Sequence, residues 1–259
     1  MSRSAKQNLP QPRADLAFFL DVDGTLLPLA ETPAAVLPSA SVCTLLAKLA
    51  SASGGAVALI SGRSLAEIDR LFCNQRFPAA GQHGGEQRNA KGRIMRNKPH
   101  VATLNSLRNL MRDLADTDER LLLEDKGLSL ALHYRRAPEC GPALMAKLQY
   151  AIRGYPEFNL QLGKMVLEVR PTGVSKAYAV QTFMSEPPFM QRVPVFIGDD
   201  ITDEDGFAMV NQLGGISIKV GSGNSVAHYR FVDIDAVLKW LMACSTPTSE
   251  QMGKSNAQS

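Results

Sequence analysis

The apolar run Leu16 to Leu20 ends in Asp21-Val22-Asp23-Gly24-Thr25. Residues two apart on a strand point to the same side, so this spacing predicts that Asp21 and Asp23 face one small volume. Gly24 lets the backbone turn sharply behind them. Two carboxylates crowded at the carboxyl end of a buried strand need a cation or a proton between them. With Mg²⁺ supplied, one carboxylate can attack phosphorus while the other carries protons. The chemistry that suits such a pair is phosphoryl transfer onto and off an aspartate.

Three further segments deliver polar groups at the end of a strand or the start of a helix. Ala58-Leu59-Ile60-Ser61-Gly62-Arg63-Ser64 presents a hydroxyl, then a glycine whose N–H can approach an anion closely, with Ser64 placed to cap a following helix. Read alone it is equally a plain strand-to-helix turn with a capping serine, and Arg63 equally a solvated loop charge. Pro171-Thr172-Gly173-Val174-Ser175-Lys176-Ala177 sets Lys176 in the first turn of a helix, where the dipole mildly disfavours a cation. A phosphoryl ligand there reverses the electrostatics; without one, Lys176 reads as a surface residue. Val195-Phe196-Ile197-Gly198-Asp199-Asp200-Ile201-Thr202-Asp203-Glu204 repeats the logic of the first segment. Asp203 and Glu204 can simply complement a helix N-terminus, but Asp199 and Asp200 are not so easily explained. Neither acidic cluster has the ligand spacing of a calcium loop, and few oxygen ligands plus phosphate and water is a magnesium pattern.

The elements that must hold these groups follow from the apolar patterning. Strands are predicted at Leu16–Leu20, Ala56–Ile60, Pro194–Ile197 and Ile216–Val220, and helices at Ser39–Ala52, Ser64–Phe72, Ser175–Ser185, Asp203–Gln212 and Ile234–Ala243. Such alternation predicts an α/β, Rossmann-like parallel-sheet core, with ligands at the carboxyl ends of its strands. The middle third breaks the pattern. It reads as helices at Val101–Leu114 and Pro142–Arg153 with strand pairs Leu121–Asp125/Ser129–Tyr134 and Asn159–Leu162/Val166–Val169, an α+β insert on an antiparallel sheet. The expected divisions are a core of 14–100 plus 171–244, an insert of 101–170, and frayed tails at 1–13 and 245–259.

The chain has 259 residues, 45% of them hydrophobic, and a formal charge of +3 from scattered basic residues, which leaves no electrostatic footprint for nucleic acid. No apolar run is long enough to span a membrane. The N-terminus lacks a secretory pattern, and Cys43, Cys73, Cys140 and Cys244 lack metal or redox spacing, so they read as reduced, mostly buried thiols of a cytoplasmic protein.

In this order, the four segments resemble the haloacid-dehalogenase-like phosphatases, and the similarity spans nearly all of residues 14 to 243. Within that superfamily the chain resembles the trehalose-6-phosphate phosphatases. The residues that carry this are Gly81-Gln82-His83-Gly84, Glu124-Asp125-Lys126-Gly127, His133-Tyr134-Arg135, Gly163-Lys164 through Glu168-Val169-Arg170-Pro171, and Gly198 through Glu204. It departs from the pattern at Val22, where an aromatic or leucine is more usual, and at Ala177, where glycine often follows the lysine.

The resemblance implies an inserted cap domain that selects substrate, and hydrolysis of trehalose 6-phosphate in trehalose biosynthesis. Asp21 becomes the nucleophile and Asp23 the acid–base, with Ser61 and Lys176 on the phosphoryl oxygens. Mg²⁺ would be held by the Asp21 and Asp199 side chains and the Asp23 carbonyl, with Asp200 and Asp203 supporting the metal shell or orienting Lys176. Glu124, Lys126 and Glu168 become candidates for the sugar hydroxyls, with Gly62, Arg63 and His83 near the substrate and Arg170 bracing a hinge. The expected protein is a monomer without nucleic-acid or membrane partners, too short to carry a fused trehalose-phosphate synthase and linked in function to a separate one. A phosphatase for sucrose phosphate or a hexose phosphate, and a non-catalytic sugar-phosphate sensor, stand as rival readings. The intact set Asp21, Asp23, Lys176 and Asp199 speaks against the sensor.

Overall fold

The structure, a computed structural model, describes residues 10–29, 36, 39–97, 101–163 and 165–246. Most of the two predicted tails and Lys164 lie outside these residues. Within them the chain forms two compact units, Met1–Ile94 with Ser175–Ser259, and Met95–Val174.

The first unit begins with β1 (Leu16–Leu20), α1 (Ala40–Ala52), β2 (Val57–Ile60), α2 (Leu65–Leu71), β3 (Ala79–Gly81) and β4 (Glu86–Arg88), and the chain leaves it through β5 (Ile94–Arg96). The second unit follows: α3 (Val101–Ala115), β6 (Leu122–Asp125), β7 (Leu130–His133), α4 (Gly141–Ile152), β8 (Phe158–Gly163) and β9 (Val166–Pro171). The chain then returns as α5 (Lys176–Met184), β10 (Val193–Gly198), α6 (Glu204–Gln212), β11 (Ile216–Val220), β12 (Tyr229–Phe231) and α7 (Ile234–Cys244).

The large sheet runs β12-β11-β10-β1-β2-β3-β4-β5, parallel from β12 to β3 and antiparallel between β3 and β4. Its central strands are apolar at every position because helices cover both faces. Alternate residues serve opposite layers. Leu16, Phe18 and Leu20 pack with α1, α2 and α7, while Ala17 and Phe19 pack with α5 and α6. From β1 the chain progresses one way through β2 and β3; on return it occupies β10 on the opposite flank and continues to β11 and β12. A reversal of this kind opens a crevice at the carboxyl ends of β1 and β10, where the acidic segments lie.

The second unit is a four-stranded sheet, β6-β7-β9-β8, antiparallel throughout. Leu130, Leu132, Leu167 and Val169 turn one face toward Leu104, Leu107 and Met111 of α3 and Leu144 and Leu148 of α4. Period-two alternation therefore gives Glu124, Ala131, His133, Glu168 and Arg170 to the other face.

Strands β3, β4, β5 and β12 have no counterpart in the sequence expectations, for a physical reason. Each spans three residues, β4 reads Glu86-Gln87-Arg88, and all three β4 residues are buried. Their polar groups are taken up locally: Arg88 reaches both Asp69 oxygens and the Phe77 carbonyl, and Glu86 accepts from the Leu65 N–H. The cysteines are free; Cys43 and Cys244 are buried, but Cys140 is half-buried and Cys73 exposed. Among the described residues no helix is long and apolar enough to cross a membrane.

Candidate active site

Asp21 follows the last residue of β1, and its N–H donates to the Ile197 carbonyl of β10 at 3.0 Å. That bond extends the β1–β10 ladder one step and fixes the carboxylate at the strand end. Lys176 opens α5 behind the N-cap Ser175, and its Nζ donates to Asp21 Oδ1 at 2.7 Å and to Asp203 Oδ1 at 2.5 Å. Lys176 is only 2% exposed, so this lysine is not the solvated surface residue that its local sequence alone suggests.

Two glycines allow the loops to meet. Gly24 has φ +79°, and a Cβ there would overlap the Asp199 carboxylate; at Gly198 it would overlap that of Asp203. Ligand oxygens of Asp21, Asp199 and Asp203 come within 4.8 Å of one another. Asp203 also accepts from the Asp200 N–H at 2.9 Å, while the Asp200 carboxylate accepts from the Ile201 N–H at 2.7 Å and so caps the next turn.

Charge crowding shows in the titration of the cluster. Burial, then Asp203 and Asp199, drive the Asp21 carboxyl well above the usual range, with Lys176 pulling the other way. Burial, then Asp203 and Asp200, push Asp199 up to about 6, against Lys176 and Lys219. For Lys176 burial alone would lower the pKa, but the Asp203 and Asp21 carboxylates outweigh it and raise it. Lys219, buried in β11, donates to the Asp199 carbonyl and so ties that loop to the sheet.

These observations test the fit of a metal. All donors in the cluster are carboxylate oxygens, the hard ligands that Mg²⁺ prefers, and the raised pKa values of Asp21 and Asp199 mark negative charge that Lys176 does not balance. The residues fit a hard divalent cation.

The Asp23 carboxylate has a partner of its own, Arg63. The strand stops at Leu20, Gly24 N–H turns back to the Leu27 carbonyl, and Arg63 grips both Asp23 oxygens at 2.7 Å. Arg63 is thus a buried, paired cation rather than a solvated charge. Asp203 accepts from Lys176, and its carboxylate lies beside those of Asp21 and Asp199. Ser61 is buried at the end of β2, where its Oγ accepts from the Arg63 N–H at 3.1 Å. The His83 N–H donates to the Ser61 carbonyl at 2.9 Å, and the ring lies so close to Gly62 that a Cβ would sit 2.7 Å from its Nε2.

In the second unit, Glu124, Lys126 and Glu168 gather on the polar side of the sheet. Ala131 of β7 is paired with Glu124 on one side and with Glu168 on the other. Ser129 Oγ donates to Glu168 Oε1 at 2.7 Å, Lys126 Nζ lies 3.5 Å from the same oxygen, and His133 Nε2 lies 2.9 Å from Glu124 Oε2. The His133 hydrogen bond holds the Glu124 carboxyl below its usual range. Arg170 donates to Gln161 at 3.0 Å, a contact between neighbouring strands β9 and β8. Sequence reasoning passed over Ser129 and Lys219. For Lys219 a signal was there: a lysine inside the apolar strand Ile216-Ser217-Ile218-Lys219-Val220 needs a buried acceptor.

Residues 19–236 match the trehalose-phosphatase family. The chain belongs to that family. Over 249 residues it is 41% identical to the trehalose-6-phosphate phosphatase of Escherichia coli (strain K12), covering 93% of this chain and 91% of that protein. The family fold is shared with the C-terminal domain of C. albicans trehalose-6-phosphate phosphatase, with a TM-score of 0.79 at 23% identity, over 90% of this chain and 93% of that one. A phosphatase of the haloalkanoate superfamily from Bacteroides thetaiotaomicron matches with a TM-score of 0.61 at 16% identity, over 91% and 97% of the two chains. The expected haloacid-dehalogenase-type core with an α+β insert is therefore the family fold found here.

Proposed function

We propose that this chain hydrolyses trehalose 6-phosphate to trehalose and phosphate, as a Mg²⁺-dependent phosphomonoesterase working through an aspartyl-phosphate. The observation that carries the reading is the buried Asp21 carboxylate, held by Lys176 at 2.7 Å beside Asp199 and Asp203, in a chain of the trehalose-phosphatase family.

An Asp21 oxygen attacks phosphorus in line, and the bond from phosphorus to the sugar oxygen breaks as the bond to Asp21 forms. Asp23 gives the departing oxygen a proton, then takes one from the water that hydrolyses the aspartyl-phosphate, acid–base work of about 10²–10⁴-fold. Because Asp23 is paired with Arg63, proton delivery goes with opening of that pair. Lys176 and Ser61 hold the non-bridging oxygens, where positioning and charge neutralisation do most of the catalysis. Asp21, Asp199 and the Asp23 carbonyl would hold Mg²⁺, supported by Asp200 and Asp203. The bound ion would neutralise charge on the phosphoryl group.

Glu124, Lys126 and Glu168 of the insert take the sugar hydroxyls through charge-assisted hydrogen bonds, and Gly62, Arg63 and His83 border the substrate. A separate trehalose-phosphate synthase would supply it, and a cytoplasmic setting goes with four free thiols.

The test is phosphate release from trehalose 6-phosphate, sucrose 6-phosphate, glucose 6-phosphate and p-nitrophenyl phosphate, with Mg²⁺ and after chelation. Trehalose 6-phosphate should give the highest specificity constant. Activity should vanish with chelator and return with Mg²⁺, while the larger Ca²⁺ supports turnover poorly. Equal specificity constants across the panel would refute the substrate, and full activity after verified metal removal would refute the metal.

A further inference from the structure

We propose that His133 is a positioning residue for sugar recognition: it holds the Glu124 carboxylate in its binding orientation before substrate arrives. The inference rests on the reading of Glu124 as a sugar contact.

Strands β6 and β7 pair Leu122 with His133 and Glu124 with Ala131. His133 therefore sits diagonal to Glu124 on the polar face, within reach of a long side chain. Ala131, directly opposite Glu124, has only a methyl group and leaves the diagonal open. Across it the imidazole Nε2, carrying its proton, donates to Glu124 Oε2 at 2.9 Å.

Glu124 needs such a partner because it lies on β6, at the edge of the small sheet. A glutamate there has several rotamers, and a ligand that must order it loses affinity in doing so. The short, stiff histidine fixes one carboxylate oxygen and leaves Oε1 to accept from a hydroxyl. Both side chains are about one-third exposed, 33% and 34%, so the pair is open to a ligand and is not part of the packed core. The hydrogen bond also keeps Glu124 charged, the state in which a carboxylate only accepts. On the same face, Ser129 donates to Glu168 Oε1 at 2.7 Å, so both candidate sugar carboxylates have a neighbour that orients them.

The experiment is steady-state kinetics of the full chain with trehalose 6-phosphate and with p-nitrophenyl phosphate, for His133→Ala, His133→Gln, Glu124→Ala and the double variant Glu124→Ala/His133→Ala. His133→Ala should raise KM for trehalose 6-phosphate roughly tenfold, the scale of one lost hydrogen bond to a charged group, with a smaller change in kcat. The loss should be larger on trehalose 6-phosphate than on the aryl phosphate. His133→Gln, whose amide N–H can replace Nε2, should recover most of it. In the Glu124→Ala background His133→Ala should add nothing, because its partner is already gone. Fully additive losses would overturn the proposal, as would a folded His133→Gln no better than His133→Ala. If Glu124→Ala alone left the kinetics on trehalose 6-phosphate intact, Glu124 itself would be wrongly assigned, a different failure that the same data set identifies.

Discussion

Lys176 is a buried ammonium between two carboxylates, and that arrangement determines what a change at Asp21 does. An amide cannot attack phosphorus, so Asp21→Asn should bring phosphate release below detection. It keeps the shape of the side chain and still offers an oxygen to Lys176 Nζ. It also removes one negative charge from a site where burial, Asp203 and Asp199 already oppose ionisation. The melting temperature should therefore fall by no more than about 2–4 °C, the shift that about 1 kcal/mol produces in a chain of this size. Near-normal turnover would end the covalent reading; loss of activity with a collapsed fold would show Asp21 to be structural. Asp21 and Asp199 were legible in the sequence because each stands where an apolar run stops, whereas Lys176 stood out only through the family resemblance. The Arg63–Asp23 pair was not legible, because the partners are forty residues apart and no local spacing marks them. Nor was the inclusion of Asp203 in the carboxylate cluster, since helix-dipole complementation accounts for an acidic residue there equally well.

Strand β4 shows where pattern reading stops. The runs that became β1, β2 and β10 were legible because both faces of a parallel strand are covered, so their residues are almost continuously apolar. β4 is equally buried, but Glu86, Gln87 and Arg88 make it look like a loop. Its place depends on partners from α2 and the following turn: Arg88 Nη1 and Nη2 meet Asp69 at 2.8 and 2.6 Å, and Nε meets the Phe77 carbonyl at 3.0 Å. Removing one partner of a buried pair strands the other, at about 3–5 kcal/mol. Arg88→Ala should accordingly lower the urea midpoint sharply, and Asp69→Asn/Arg88→Met should recover part of the loss. An unchanged midpoint for Arg88→Ala would show that packing alone holds β4.

The two units divide the proposed work, and substrate comparison can test that division. The phosphate ends of trehalose 6-phosphate and glucose 6-phosphate are alike, so contacts to the phosphate cannot tell them apart. Glu124→Ala, Lys126→Ala and Glu168→Ala should each lower the specificity constant for trehalose 6-phosphate about 10- to 100-fold, as expected for a lost charged hydrogen bond. For a small aryl phosphate the losses should be smaller. Equal losses on both substrates would trace the effect to folding. Strand–helix alternation breaks near residue 101 and resumes near 175, and the second compact unit runs Met95–Val174. The pairing order of the small sheet was not legible in the sequence, because β7 pairs with β9 rather than with its neighbour in sequence, β8.

One consequence concerns time rather than space. Asp21 is emplaced by a bond to Ile197, and only a glycine at position 24 fits beside Asp199. The amino-terminal strands could assemble early during synthesis, but the phosphate site closes only when β10, from the far side of an eighty-residue insertion, docks on β1. Sequence-distant pairings of this kind are the slow ones. Catalytic competence therefore waits on that docking, and a chain that ends before β10 cannot carry it.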